Sequence, residues 1–229
     1  MYATVISFIK IADPDIYQLE LQAETPINNE PGQYIEIYLP HKNPDDRGEK
    51  RFFTVYSSPS EEFLTIVTKI SKEPSSFKKT LLTIKANDSI NYTEPIGDFI
   101  LPINKNKPLV FVAGGIGISP IRSIVKHLSL TNQKRLFNIF YSTKTESEII
   151  DKQLFDKYNT HYTLTNPSKD WSGPTGRLNP NLIIDLVRKH PNASIFISGP
   201  EPFIKDISKA LLDNGIQKNA LVTDTFTGY

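Results

Sequence analysis

The chain has 229 residues, 38% hydrophobic and 22% charged, with a net charge of +1; these are the proportions of a globular protein with room for one large domain or two ordinary ones. It contains no cysteine, which excludes disulfides, thiolate nucleophiles and cysteine-ligated iron–sulfur clusters. No apolar run reaches the ~18 residues of a membrane span, and "MYATVISFIK" lacks the basic start and apolar middle of a signal peptide, so the expectation is a cytoplasmic protein with neither membrane nor nucleic acid as partner.

Residues 1–101 read as short β-like runs separated by turns: "TVISFIKI", "IYQLELQ", "QYIEIYLP", "FFTVYSS", "FLTIVTKI" and "DSINYTEP". Six such runs without long helical stretches predict an antiparallel barrel or sandwich. The exception is "SSFKKTLLTI", a short helix beginning near Ser75 and Ser76. Residues 101–108, "LPINKNKP", read as a linker.

From there the pattern alternates. "PLVFVA" precedes a helical stretch with Ile121, Ile124, Val125 and Leu128 at helical spacing; "LFNIFYS" precedes a helix around "SEIIDKQLFDKY"; "HYTLTNP" precedes "NPNLIIDLVRKH"; "SIFISG" precedes "EPFIKDISKALLDNG"; and "NALVTDTF" is a last strand. Such alternation predicts a parallel sheet covered by helices, with ligands at the carboxyl ends of its strands. The two halves also differ in charge. Residues 1–101 hold 10 Lys+Arg against 15 Asp+Glu and residues 102–229 hold 16 against 10, so the second half suits anionic ligands or an acidic partner, although solvated surface lysines account for the same excess. The four histidines, His41, His127, His161 and His190, lack zinc-site spacing, and no metal site is expected.

Four stretches carry chemistry. In "VFVAGGIGISPIRSIVKHL", Gly114, Gly115 and Gly117 lie between strand and helix, with Ser119 as expected N-cap and Pro120 at the first helical position. Free N–H groups there favour a pyrophosphate, and glycines admit it to the backbone; ordinary packing also asks for glycine in such turns. "RFFTVYSSP" places Arg51 and Phe53 on one strand face, with Thr54 next, a cation beside an aromatic plate; a plain amphipathic strand reads the same way. Ser75 and Ser76 offer a second anion site or an N-cap alone. "SIFISGPEPF" ends a strand in Ser198-Gly199-Pro200, where glycine and a helix start favour close approach of a ligand.

In this order, and across essentially the whole chain, these stretches resemble the ferredoxin–NADP reductase superfamily of FAD-dependent oxidoreductases. Arg51-Phe52-Phe53-Thr54 matches its Arg-x-Tyr/Phe-Ser/Thr strand, "IVTKI" with Val67 and Lys69 its flavin-side strand, and Ser75-Ser76 its serine-bearing helix start at the FAD pyrophosphate. Gly114 through Pro120 matches its Gly-Gly-x-Gly-x-x-Pro motif, and "EPIGDF" is similar to its Gly-Pro-x-Gly-x-Phe segment with Glu94 replacing a glycine. Two departures stand out. Ser198 occupies the place of the usual cysteine, and "TDTFTGY" resembles the acidic-x-aromatic ending but runs three residues past Phe226, so that either Phe226 or Tyr229 covers the flavin.

The resemblance implies an FAD-binding β-barrel domain (1–101) followed by an NAD(P)-binding α/β parallel-sheet domain (102–229). It implies Arg51 on FAD phosphate, Phe53 against the isoalloxazine and Thr54 near its N5. Gly114, Gly115, Gly117 and Ser119 would seat the NAD(P)H pyrophosphate, while Ser198, Gly199 and Pro200 lie beside the nicotinamide. The second anion site at Ser75-Ser76 indicates FAD rather than FMN. Ser142, Thr143 and Lys144 reach a strand end before any carboxylate, which points to NADPH over NADH. The implied activity takes a hydride from NAD(P)H to flavin and passes electrons to a separate carrier such as ferredoxin or flavodoxin. Free flavin or quinone is an alternative acceptor, and a flavin- or nucleotide-binding regulatory module without turnover is the alternative of another class.

Overall fold

The computed structural model describes residues 1–226. Each β-like run of the first half forms a strand: β1 (Tyr2–Ala12), β2 (Ile16–Ala23), β3 (Tyr34–Tyr38), β4 (Lys50–Thr54), β5 (Leu64–Lys69) and β6 (Ser89–Tyr92). They pair antiparallel in the order β4-β3-β6-β1-β2-β5. Just past β4, Tyr56 N donates to Thr65 O at 2.7 Å, joining the two ends of the sheet into a barrel. The two-residue period then sorts the side chains. Phe53, Val55, Leu64 and Ile66 fill the barrel, whereas Tyr56 and Val67 belong to a core shared with the second half of the chain. A short helix, α1 (Ser76–Leu81), is capped by Ser75, whose Oγ accepts from Lys78 N, and buries Phe77 and Leu81 against the barrel.

The second half is a parallel sheet of β7 (Leu109–Gly114), β8 (Phe137–Thr143), β9 (Thr160–Leu164), β10 (Ser194–Pro200) and β11 (Leu221–Phe226), ordered β11-β10-β7-β8-β9. The helices are α2 (Ile118–Leu130), α3 (Lys152–Phe155), α4 (Pro180–Lys189) and α5 (Glu201–Asp213). Strand β7 is buried throughout because both faces are covered. Phe111 and Ala113 meet α2 through Ile121, Ile124 and Leu128, together with Tyr56 and Phe99 of the first half; Val110 and Val112 meet α4 and α5 through Ile183, Val187, Ile204 and Leu211. From β7 the chain runs outward to β9, then returns to the opposite side of β7 for β10. The crevice between the carboxyl ends of β7 and β10 is therefore the switch point at which such sheets bind ligands.

One element is shorter than its pattern predicts. The stretch "SEIIDKQLFDKY" gives a 3-10 turn at Glu146–Glu148 and then the four-residue α3. Asp151 breaks it with a left-handed φ of 49°, and its carboxylate accepts from Arg122 Nε at 2.7 Å. Residues 101–108 hold no helix or strand. Among the described residues no helix is long and apolar enough to cross a membrane, and no cluster of three metal-ligating side chains occurs.

Arg122 of α2 is the central polar contact between the halves. Its guanidinium pairs with Asp151 and with both carboxylate oxygens of Glu61 in the β4–β5 loop, donates to Tyr56 O at 3.3 Å and lies 4.6 Å from the Tyr56 ring centre. One position further, Ser123 Oγ donates to Ser57 O at 2.7 Å. Arg122→Met strands two carboxylates and a carbonyl at once. Because Asp151 is 37% exposed, the expected loss is about 2–4 kcal/mol, somewhat under that for a fully buried pair, read as a lower urea midpoint at unchanged m value.

Candidate active site

At the switch point the glycines divide their work. A Cβ on Gly117 would stand 2.3 Å from Ser198 O, and one on Gly114 would stand 3.0 Å from the Phe203 ring. These two are needed for packing, where β7 and β10 nearly touch. Gly199, with φ of 153°, is boxed in by Gly114 O and Phe203. Gly115 alone combines a left-handed φ of 54° with open space around it, and is the one glycine of the turn offering its backbone to a ligand. Ser119 does not cap the helix. The chain is already wound at Gly115–Gly117, α2 starts at Ile118, and the buried Ser119 hydroxyl turns back to Ile116 O at 2.8 Å.

Beside this turn, three side chains from distant parts of the chain converge. Thr54 of β4 is buried, and its Oγ1 donates to Asp224 Oδ2 at 3.4 Å across the domain boundary. Asp224 and Ser198 are paired neighbours on β11 and β10. Ser198 is fully buried; its Oγ makes no well-formed hydrogen bond, yet it lies close enough to help stabilise the Asp224 carboxylate. Burial dominates at Asp224 and pushes its carboxyl up to about 6, against the opposing influence of the Thr54 hydrogen bond and the nearby Ser198 hydroxyl. A groove of about 470 Å³ between Tyr34, Gly97, Asp98 and Phe99 on one side and Leu221–Asp224 on the other runs up to this carboxylate.

A second cluster lies where α1 meets the barrel. Arg51 and Phe53 share a face as expected, and both lean on Phe77: the Arg51 guanidinium carbon is 5.2 Å from its ring centre and Phe53 is 5.9 Å away. Phe53 is not an open plate. It is 6% exposed within the barrel core, because its alternation places it inward, and the Lys78 ammonium sits over its ring at 5.1 Å. The terminal nitrogens of Arg51 are turned to the β3–β4 loop, Nη2 to both Asp45 oxygens at 2.5 and 2.7 Å and Nη1 to Arg47 O, Gly48 O and Lys50 O. Burial pulls the Asp45 carboxyl up, and its bonds to Arg51 and Arg47 reverse this, leaving it below the ordinary carboxylate range. Ser76 Oγ is engaged by His41 Nε2 and Asp45 N. Lys78 donates to Thr68 Oγ1, and its ammonium is enclosed although the residue as a whole is half-buried. Burial, reinforced by Arg51 and Arg47, lowers it to about 7.

The remaining expected positions separate. Val67 is core, and Lys69 Nζ spans the halves to the buried Glu148 at 3.1 Å, so the demand of that carboxylate for a counter-ion draws it away from a ligand role. Ser142, next to last in β8, pairs with Gly114, and Lys144 is exposed just beyond the strand. Glu146, the first acid past that strand, is held by Ser168 through N and Oγ. Pro200 is exposed at the start of α5. Phe226 closes β11 opposite Pro200 by its backbone, while the placement of its side chain and the whole of Tyr229 lie outside the described residues. Asp224 and Lys78 were not singled out from the sequence. The acidic position in "TDTFTGY" was the available signal for the first, and nothing in "SSFKKTL" separates Lys78 from Lys79.

Residues 111–209 match the oxidoreductase NAD-binding domain. The chain is 28% identical over 241 residues to the reductase component of propane 2-monooxygenase from Rhodococcus jostii, covering 98% of this chain and 63% of that protein. Across the curated relatives it matches first, it spans 49–63% of their length. Its fold superposes on the flavohem-like FAD/NAD-binding domain of Vibrio cholerae nitric oxide dioxygenase with a TM-score of 0.83, 20% identity and 98% of both chains covered. On Plasmodium falciparum ferredoxin–NADP+ reductase the TM-score is 0.81 at 21% identity, covering 98% of this chain and 95% of the other. A barrel joined to a parallel, helix-covered sheet thus defines a two-domain architecture. The chain has the ferredoxin–NADP reductase-like fold, and within its second half residues 111–209 match the oxidoreductase NAD-binding domain.

Two measurements probe this geometry. Gly117→Ala, whose Cβ meets backbone, should cost about 3 kcal/mol or more, whereas Gly115→Ala should cost only the ~1 kcal/mol of a left-handed residue; thermal melts separate the two. Asp224 holds its proton in the fold at a pH where the unfolded chain has released it. Its contribution is therefore greatest below pH 3.8, falls as pH rises to about 6 and stays low above, a change of about 3 kcal/mol. Asp224→Asn should remove that slope from urea unfolding curves taken across this range and raise stability at neutral pH.

Proposed function

We propose that this chain is an NAD(P)H-dependent flavoprotein reductase that holds FAD where the barrel meets the second domain and delivers electrons to a separate carrier. The observation that carries this reading is the convergence of buried Thr54 and Ser198 with the half-buried Asp224 beside the switch-point crevice. The residues present fit both cofactors: among the described residues Ser198 Oγ is a buried polar atom that makes no well-formed hydrogen bond and Lys78 has no carboxylate in salt-bridge contact, while Gly115 presents open backbone at a helix entrance. The cationic end of the barrel would hold the flavin phosphates. The Gly115 turn would take those of the nicotinamide nucleotide.

Bound FAD would supply the exchange between two-electron and one-electron transfer. The protein contributes position and protons. With its carboxyl near 6, Asp224 can bind and release a proton at Oδ2 close to neutrality, and Thr54 Oγ1 holds that oxygen in place. The shared core of Tyr56, Val67, Phe99 and Phe196 keeps water from this side of the site. At the end of β8, exposed Lys144 and a Glu146 already occupied by Ser168 favour a 2′-phosphate, hence NADPH. Relatives named as reductase components support a separate acceptor protein, and ferredoxin or flavodoxin is the proposed one.

Purified protein should be yellow, release FAD on extraction and bleach with NADPH under anaerobic conditions. A colourless or unresponsive sample would favour a non-catalytic binding module instead. Lys144→Ala should raise KM for NADPH by about tenfold, the value of one charge-assisted contact, and leave KM for NADH unchanged in steady-state assays.

A further inference from the structure

We propose that the amino edge of the parallel sheet is a docking surface for an anionic lipid bilayer, with Ile103 as the side chain that enters the headgroup layer. Five segments lead into the strands at that edge: 102–108 before β7, 131–136 before β8, 157–159 before β9, 190–193 before β10 and 214–220 before β11. Together they hold six cations, Lys105, Lys107, Lys134, Arg135, Lys157 and Lys218, and no carboxylate. Among the described residues none of the six is in an ion pair. The acids that come just before these segments are taken up locally, Asp156 by Lys152 and Asp213 by Lys209.

Cations that follow helices are favoured by the helix dipole, which accounts for Lys157 and Lys218. It does not account for Lys105 and Lys107, whose segment follows no helix, nor for apolar Ile103, 99% exposed among them. Leu136, also exposed, is brought alongside: Arg135 Nη1 donates to Pro102 O at 2.9 Å and to Asn104 O at 3.3 Å, fastening the two segments together around the Ile103 backbone. An apolar side chain projecting from a fixed backbone and flanked by unpaired lysines matches a surface with negative charge outside and hydrocarbon beneath. An acidic protein would answer the charge and leave Ile103 unexplained. An electron carrier would have to reach the switch-point crevice, which lies at the opposite edge, about 20 Å away along the six residues of β7. Seated on lipid by its amino edge, the protein keeps that crevice turned outward. Among the described residues no helix can cross a membrane, so the contact is peripheral, a partner the sequence pattern does not predict.

The test is sedimentation of the full chain with vesicles of phosphatidylcholine alone or with about 30% phosphatidylglycerol, at about 0.05 and about 0.5 M salt. Wild-type protein should prefer the anionic vesicles by about a hundredfold or more at low salt and lose most of that preference at high salt. The triple variant Lys105→Gln, Lys107→Gln, Lys134→Gln should bind them about a hundredfold more weakly, at about fivefold per cation, with a shallower salt dependence. Ile103→Ser should bind about tenfold more weakly while keeping the wild-type salt dependence, a split that solvated surface lysines would not produce. A control triple at exposed lysines elsewhere, Lys72→Gln, Lys85→Gln, Lys169→Gln, should bind as wild type does. A wild-type protein with no preference for the anionic vesicles, an Ile103→Ser protein with wild-type affinity, or a control triple that loses as much as the edge triple overturns the inference. None of these measurements involves flavin or nucleotide, so the reductase reading stands or falls separately.

Discussion

The structure depends on one guanidinium. Arg122 leaves α2 and enters the boundary between the domains, where it holds Glu61 and the Tyr56 carbonyl of the barrel and Asp151 of the second domain. An arginine so placed is favourable only when its planar set of donors is fully used. Here that requirement, with the Ser123–Ser57, Lys69–Glu148 and Thr54–Asp224 contacts, gives direction to a boundary that is otherwise apolar packing. The Asp151 that it holds has a left-handed backbone and stands immediately before a helix shorter than the sequence pattern predicts.

The geometry of the candidate site follows from the way the two domains meet. Thr54 and Asp224 are 170 residues apart and hydrogen-bonded, and neither domain alone contains the pair. The same closure removes water from Asp224, and this desolvation, more than any neighbouring charge, brings its carboxyl near neutrality. The backbone contact at Gly117 and Ser198 works in the same direction, holding the ends of β7 and β10 so close that a side chain on the turn would separate them. Rigid packing on one side of the crevice leaves Gly115 as the point of access on the other.

At the far end of the barrel, charge is distributed unevenly. Arg51 and Asp45 satisfy each other, while Lys78 is enclosed with only a hydroxyl and an aromatic face. Burial disfavours the charged form of such a lysine and lowers its ammonium to about 7. The cluster thus contains one cation paired with a carboxylate and one set against a hydroxyl and an aromatic face, two environments that residue type alone does not distinguish.

The sequence by itself determined the elements and their kind. Six strands, a capped helix at Ser75 and an alternating strand–helix half all arise from local periodicity and turn chemistry, which act over a few residues. The glycine turn and Thr54 were legible for the same reason, since a short motif carries its own backbone requirement. Tertiary structure alone decided the partners. It gave Gly114 and Gly117 to packing and Gly115 to access, sent Lys69 to Glu148 and Arg51 to Asp45, turned the Ser119 hydroxyl inward, and brought Asp224 to Thr54. Hydrogen bonds, ion pairs and desolvation depend on which atoms meet in space, and residues far apart in sequence meet only after the domains have closed.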